Sequence, residues 1–348
     1  MLSCRPLQLL LQTPFRTAHG TDRARTNALV ELTDADERSF FGEGALPPYY
    51  PHDVADVHDY VKALDAAALL DRPPFALEAA LARLPEGPPP ARCAVDLALH
   101  DRWARHLGRP LYELLGLDPS DAPPSSVTLS LTGDLEALRE KARAERERPV
   151  LKLKLGAGAI EQDERAVRTV QEETDAALGV DANEAWTVEE AAALIPHLPD
   201  LLFVEEPIRE RSPSAWQSLA GRLQGEGPHA PLIADESIQR PADITRLAPS
   251  VDGANVKIAK AGGIAGARRW IAVARALGLK VLLGCMIESS LAVTAATHLA
   301  PKADFTDLDG ARSLAEDPFA GARIDADGQL SLPERPGLGA APARSSQR

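Results

Sequence analysis

The sequence predicts an α/β fold: a barrel of eight parallel strands alternating with helices, preceded by a smaller α+β accessory domain. Three observations predict it. From Ser125 onward, short apolar runs recur at 127–131, 150–155, 177–181, 201–205, 232–235, 254–257, 280–283 and 303–307. Helical segments such as 160–171, 188–198 and 264–277 fill the gaps, and strands joined by crossover helices imply a parallel sheet closed on itself. The 348 residues, 45% of them hydrophobic, suffice for one large barrel with an accessory domain.

The chain before the barrel reads differently. Residues 7–33 read as strand, loop, strand, with partial alternation over 27–33 suited to a half-buried strand. The intervening 14–25, Pro-Phe-Arg-Thr-Ala-His-Gly-Thr-Asp-Arg-Ala-Arg, is polar and cationic. It is either a solvated hairpin loop or a flap that closes over a site and meets a carboxylate. A turn-rich connection over 41–50 leads to helical patterns at 53–70, 74–84 and 91–107. Gly108 suits the end of the third, with Pro110 just beyond, and a short helix is expected over 111–115. The shift to Asp-Pro-Ser-Asp-Ala-Pro-Pro at 118–124 marks a boundary. The expected division is a cap over 1–120, a barrel over 121–316, and a C-terminal segment over 317–348 that returns to the cap. That segment includes a closing hairpin at 322–330 and a tail disordered at its end.

Composition narrows the function. A formal charge of −13 argues against non-specific nucleic-acid binding. Cys4, Cys93 and Cys285, odd in number and far apart, match neither a disulfide framework nor a zinc pattern. The apolar run 9–11 is too short to span a bilayer, and the N-terminus lacks the features of a signal peptide. A reducing cytoplasm is the expected location.

The chemistry lies at the strand ends. Lys152 and Lys154 sit two apart in Val-Leu-Lys-Leu-Lys-Leu-Gly, so on a strand both ammonium groups enter one space. Each is expected to lower the other's pKa, which would suit a general base. Asp181, Glu205 and Asp235 end the third, fourth and fifth strands, from which three carboxylates can meet at one point. They would repel without a cation among them, and hard oxygen ligands favour Mg²⁺. Lys154 and Lys257 flank the acids from opposite sides. A metal centre with a lysine on each face suits removal of a proton from carbon next to a carboxylate and its return on the other face. Lys260, beyond the strand, is the rival to Lys257 and the less favoured of the two.

These residues together resemble the enolase superfamily, its muconate-lactonising subgroup, and within it the dipeptide epimerases (L-Ala-D/L-Glu epimerase-like). Ala94-Val-Asp-Leu-Ala-Leu-His-Asp101 and Pro110-Leu-Tyr-Glu-Leu-Leu-Gly116 are similar to the family's capping-domain segment. The resemblance implies a (β/α)7β TIM-like barrel and one Mg²⁺ per subunit held by Asp181, Glu205 and Asp235. It implies Lys154 and Lys257 as the acid/base pair of a 1,1-proton transfer through an enediolate. Glu206 and Glu236 would not touch the metal.

The resemblance also implies substrate contacts at Lys152, Thr128, Asn183, Cys285, Ile287, Glu288, Asp307 and Asp309. Gly284-Cys-Met-Ile-Glu-Ser-Ser290 would hold the peptide backbone, and Asp307 with Asp309 would receive the α-ammonium of a small dipeptide. Muconate and succinylbenzoate carry no cation, so paired acids there would repel them. The alternative is a lyase of the same subgroup, an o-succinylbenzoate synthase or muconate cycloisomerase, with N-acylamino-acid racemase activity as a variant. The family further implies a homo-oligomer with no membrane or nucleic-acid partner. One departure stands out. Relatives acting on Ala-Glu carry an arginine in the flap after Phe-x-Thr-Ala, whereas here His19-Gly20 follow and Arg23 and Arg25 come later. The preference for the second side chain stays open on sequence grounds.

Overall fold

The structure, a computed structural model, describes residues 1–18, 20–71, 73, 75–130, 134–156, 158–198, 200–225 and 229–343. His19, Leu131, Pro74 and the end of the tail, which figure in the expectations above, lie outside them.

The chain opens with an antiparallel sheet of β1 (Leu2–Thr17), β2 (Gly20–Thr33) and β3 (Ser39–Gly44). The stretch 14–25, read from sequence as a loop, is mostly strand. Phe15 faces Asp22, Arg16 faces Thr21 and Thr17 faces Gly20, after an irregularity between Leu10 and Phe15. Two adjacent extended chains satisfy each other's N–H and C=O groups whatever their side chains, so polarity concealed how far the two strands of the hairpin extend. Val30, Leu32 and Phe40 bury one face of this sheet against α1 (Val54–Ala63), α2 (Ala66–Leu70), α3 (Leu77–Leu81) and α4 (Pro89–Leu107). The expected helix 53–70 is two helices, because Asp65 turns out of helical geometry and caps the second, accepting from Ala68 N at 3.0 Å. At the closest approach of sheet and α4, a Cβ on Gly42 would lie 1.8 Å from Ala94 O. α4 ends at Gly108 with φ of +67°, as its sequence position suggested. A short α5 (Leu111–Leu114) follows.

Among the described residues, eight strands then form one sheet in sequential order: β4 (Val127–Leu129), β5 (Val150–Lys154), β6 (Ala177–Asp181), β7 (Leu201–Glu205), β8 (Leu232–Ala234), β9 (Gly253–Lys257), β10 (Lys280–Gly284) and β11 (Phe305–Asp307). Every neighbouring pair is parallel. A parallel bridge from Ser125 to Thr306, with Ser126 N donating to Thr306 O at 2.9 Å, brings the first strand against the last. Helices α6 (Leu135–Ala144), α7 (Ile160–Glu173), α8 (Val188–Leu194), α9 (Pro213–Leu223), α10 (Pro241–Leu247), α11 (Ile258–Ala261), α12 (Ile264–Ala276) and α13 (Ser290–Thr297) fill the crossovers, giving seven βα steps and a final strand. Near the floor of the barrel, Phe203, Ile233 and Leu282 pack together. Gly179 leaves the room, since a Cβ there would lie 2.3 Å from the Phe203 ring. Large residues on one strand opposite small ones on the next fill a barrel of this size.

The C-terminal segment runs back across both parts. Arg323–Ile324 pairs with Leu330–Ser331, the hairpin expected at 322–330. Leu338 then docks between α4 and α13: its N–H donates to Asp101 Oδ1 at 2.9 Å and its C=O meets His298 Nε2 at 2.9 Å.

Candidate active site

Strand register assembles the site. Lys154, Asp181 and Glu205 are consecutive partners across β5, β6 and β7, and Asp235 follows the last residue of β8. On the other side, Lys257, Gly284 and Asp307 are partners across β9, β10 and β11. Side chains at these C-terminal ends share one mouth of the barrel.

Ion pairs knit them together. Lys154 Nζ lies 2.6 Å from Asp181 Oδ2, and Lys257 Nζ lies 2.6 Å from Asp235 Oδ2. Lys152 is buried and touches three acids: Glu205 Oε2 at 2.6 Å, Asp307 Oδ2 at 2.7 Å and Asp181 Oδ2 at 3.1 Å. Lys260 pairs with Asp235 Oδ1 and donates to Asp235 O at 2.7 Å. This corrects the expectation that paired lysines depress one another. Burial works against the Lys152 ammonium, but Asp307, Glu205 and Asp181 outweigh it and hold its pKa well above an ordinary lysine. Burial likewise works against Lys257, and Asp235 and Glu205 overcome it. The acids answer in kind. Burial raises the Asp181 and Asp235 carboxyls, yet Lys154 and Lys152 on the first, and Lys257 and Lys260 on the second, hold both well below the carboxylate range. Glu205 goes the other way, pushed up to about 8 by burial and by Asp181.

Among the described residues, no three acid, histidine or cysteine side chains form a ready-made metal cage, because lysine ammoniums stand between the carboxylates. The donor set nonetheless suits a hard cation. Three fully buried carboxylates end consecutive strands, and Glu205 Oε2 is met by the Lys152 ammonium at 2.6 Å without a well-aligned hydrogen bond. Glu205 is also disfavoured as an anion beside Asp181 and Asp235 unless positive charge stays close. These residues fit a magnesium ion.

A cavity lies above this floor. Lys154 and Lys257 reach it from opposite walls, and Thr128, Asn183, Cys285, Ile287, Asp307 and Asp309 line it with them. Phe15, Thr17, Asp22 and Arg25 from the hairpin, and Pro47 and Tyr49 after β3, form its cap side. Two residues expected to touch substrate do not line it. Lys152 is buried beneath, turned to its three acids. Glu288 points behind the wall, accepting from Met286 N at 3.1 Å, its carboxyl pushed up to about 8 by burial and by Glu43. Lys260, the less favoured lysine, also stays out of the cavity, its ammonium 6.0 Å from the Trp270 ring.

Asp307 and Asp309 are a built pair rather than a solvated turn. Ser126 Oγ donates to Asp307 Oδ1 at 2.7 Å, and Thr128 N donates to Asp309 Oδ2 at 2.7 Å. Asp307 stays below the carboxylate range because Lys152 outweighs its burial, whereas burial and Asp307 push Asp309 up to about 6. Two acids held this close receive a cation well.

Sequence reading missed a supporting layer. Asn255 Nδ2 donates to Glu205 Oε1 at 2.7 Å from the strand that carries Lys257. Its spacing, two residues before Lys257 on one strand face, was the available signal. Gly284 makes room for it, since a Cβ there would lie 2.6 Å from Asn255 Oδ1. Glu206, with φ of +33°, turns its carboxylate away from the mouth to accept from Asp235 N at 2.6 Å and from Ser237 Oγ. Glu236 accepts from Asn183 Nδ2 at 3.1 Å.

Comparison with known proteins decides the family. The model described as Mandelate racemase / muconate lactonizing enzyme, N-terminal domain, matches residues 5–116, and the Enolase C-terminal domain-like model matches 135–346. The chain belongs to the mandelate racemase/muconate lactonizing enzyme family. Within that family it is 31% identical over 343 residues to an L-Ala-D/L-Glu epimerase of Bacteroides thetaiotaomicron, spanning 96% of this chain and 86% of the relative. A substrate-liganded complex of the L-Ala-D/L-Glu epimerase from Bacillus subtilis superposes with a TM-score of 0.88 at 28% identity, covering 99% of this chain and 98% of that one. A dipeptide epimerase from Methylococcus capsulatus, complexed with Mg and the dipeptide L-Arg-D-Lys, gives 0.85 at 31% identity, covering 98% and 99%. The cap and barrel described above are this family's two parts. No helix among the described residues is long and apolar enough to cross a membrane.

Proposed function

We propose that this family member is a Mg²⁺-dependent dipeptide epimerase that inverts the α-carbon of the second residue. The observation that carries the reading is one cavity with Lys154 and Lys257 on opposite walls and the held pair Asp307 and Asp309 on a third. A dipeptide brings two charges, and this site answers both. Its ammonium meets Asp307 and Asp309, and its carboxylate turns toward β6, β7 and β8. The α-carbon between these ends stands between the two lysines. Asp181, Glu205 and Asp235 would hold the Mg²⁺, which when bound would supply positive charge beside the substrate carboxylate and offset the carboxylates that hold Lys257 protonated. One lysine takes the α-proton, and the other gives a proton to the opposite face. Asn255 fixes Glu205, and Glu206 fixes the backbone at Asp235. Lys152 already pairs with Asp307, but a lyase substrate without a cation would bring Asp309 no partner of opposite charge, which favours the dipeptide. The reading includes a cytoplasmic homo-oligomer, whose subunit number light scattering measures.

The test is proton NMR in D₂O with Mg²⁺ and a panel of L,L-dipeptides. Loss of the second residue's α-proton signal with growth of the L,D diastereomer is the expected result. Turnover of a muconate or a succinylbenzoate precursor, with no exchange on any dipeptide, would overturn it.

A further inference from the structure

The inference concerns which dipeptides fit, and it rests on the reading just given. Three substituents of a planar α-carbon lie in the plane between the two lysines. The carboxylate turns to the β6–β8 side, and the nitrogen turns toward Asp307 and Asp309 on the β11 side. The side chain must therefore leave toward the cap. There it meets Phe15, Asp22 and Arg25 from the hairpin, Pro47 and Tyr49 after β3, and Met286 and Ile287 after β10.

Most of that surface is apolar. Its charged members are Asp22 and Arg25, and they are already joined, with Arg25 Nη2 2.5 Å from Asp22 Oδ2. Arg25 is 9% exposed at the side chain and Asp22 24%, so neither is a freely solvated group. Phe15 is the direct partner of Asp22 across the hairpin, which puts the ion pair and the aromatic ring at one place on the lid. The other late arginine of this stretch, Arg23, is exposed and does not line the cavity. Among the described residues, the cap side of the cavity thus presents one cation, cancelled by one anion.

We infer that the Asp22–Arg25 pair selects dipeptides whose second residue carries an uncharged, apolar side chain. A side-chain carboxylate would have to take Arg25 from Asp22 and then lie beside Asp22. A side-chain ammonium would have to take Asp22 and then lie beside Arg25. Either way one charge of a mostly buried pair loses its partner and gains a like neighbour, which is costly in a closed site. An apolar side chain disturbs neither charge and packs on Phe15, Pro47, Met286 and Ile287. Asp22 is then a specificity-determining residue that acts by cancelling the arginine beside it.

The test measures kcat/KM with Mg²⁺ for L-Ala-L-Leu, L-Ala-L-Glu and L-Ala-L-Lys on the full-length protein and on two variants. Wild type should favour L-Ala-L-Leu over both charged peptides by about tenfold or more. Asp22→Asn frees Arg25 and should raise the Glu-to-Leu ratio by about tenfold. Arg25→Met frees Asp22 and should raise the Lys-to-Leu ratio instead. Two variants shifting selectivity in opposite directions is a signature that general loosening of the hairpin does not produce. Wild-type turnover of L-Ala-L-Glu or L-Ala-L-Lys equal to that of L-Ala-L-Leu overturns the inference and leaves the epimerase reading standing. Ratios unmoved by either substitution, or moved the same way by both, also overturn it. No turnover of any dipeptide by folded wild-type protein overturns both.

Discussion

Glu43 should be the residue through which the cap controls the cavity wall. It is fully buried on β3 and touches no part of the cavity. Its carboxylate accepts from Asn27 Nδ2 at 2.7 Å, from Ser289 N at 3.2 Å and from Ser289 Oγ. Asn27 Nδ2 also donates to Ile287 O at 3.0 Å, so the 285–289 segment that lines the cavity is tied to the cap through two side chains. Burial raises the Glu43 carboxyl, and its Ser289 and Asn27 donors pull it back. In Glu43→Ala the Ser289 hydroxyl can rotate to a new acceptor, but Ser289 N–H and one Asn27 N–H are left buried and unpaired. At about 1–3 kcal/mol for each orphaned donor, the loss of stability should be about 2–6 kcal/mol. Glu43→Gln keeps the volume and one acceptor and should lose about half as much. Urea unfolding measures the stability, and dipeptide kinetics should show KM rising more than kcat falls, because the wall that grips the substrate loosens while the lysines stay on their own strands. Stability within about 0.5 kcal/mol of wild type and an unchanged KM in Glu43→Ala would refute the reasoning.

Further expectations follow from the same geometry. Asn255→Leu removes the donor that orients Glu205 and should weaken divalent-cation binding about 10–100-fold, read by calorimetry with circular dichroism as the check on folding. Treatment with EDTA should abolish epimerisation, and added Mg²⁺ should restore it. His298 is buried with its pKa pushed down to about 4 by burial, against 6.5 for a free histidine. The unfolded chain therefore binds this proton first, and stability should fall as pH drops from about 6.5 to about 4, by about 3 kcal/mol in all. In His298→Asn the unfolding midpoint should depend less on pH across that window. Parallel curves would show that His298 is not the group responsible.

Much of this architecture was legible because barrel strands carry their own punctuation. β6 and β7 lie where the apolar runs 177–181 and 201–205 placed them, each ending in a buried acid. Lys257, preferred to Lys260 on strand geometry, lines the cavity, since α11 begins directly after Lys257 and carries Lys260 out of the mouth. Three features were not legible. The 14–25 hairpin is polar, so nothing in its pattern distinguishes a strand from a loop. Asn255 is one neutral residue in a five-residue strand, and its value appears only when Glu205 is placed across the barrel. The lysine pair Lys152 and Lys154 was judged by its own proximity, whereas the acids that set the Lys152 pKa come from β6, β7 and β11, far away in sequence.

The central claim is that two lysines serve opposite faces of one α-carbon. The direct test follows α-deuterium incorporation separately from an L,L-dipeptide and its L,D diastereomer in D₂O with Mg²⁺, using Lys154→Ala and Lys257→Ala. Each variant should lose exchange on one diastereomer by about 10²–10⁴-fold, with the affected diastereomer opposite in the two variants and net epimerisation lost in both. Either variant interconverting both diastereomers at the wild-type rate would contradict the account.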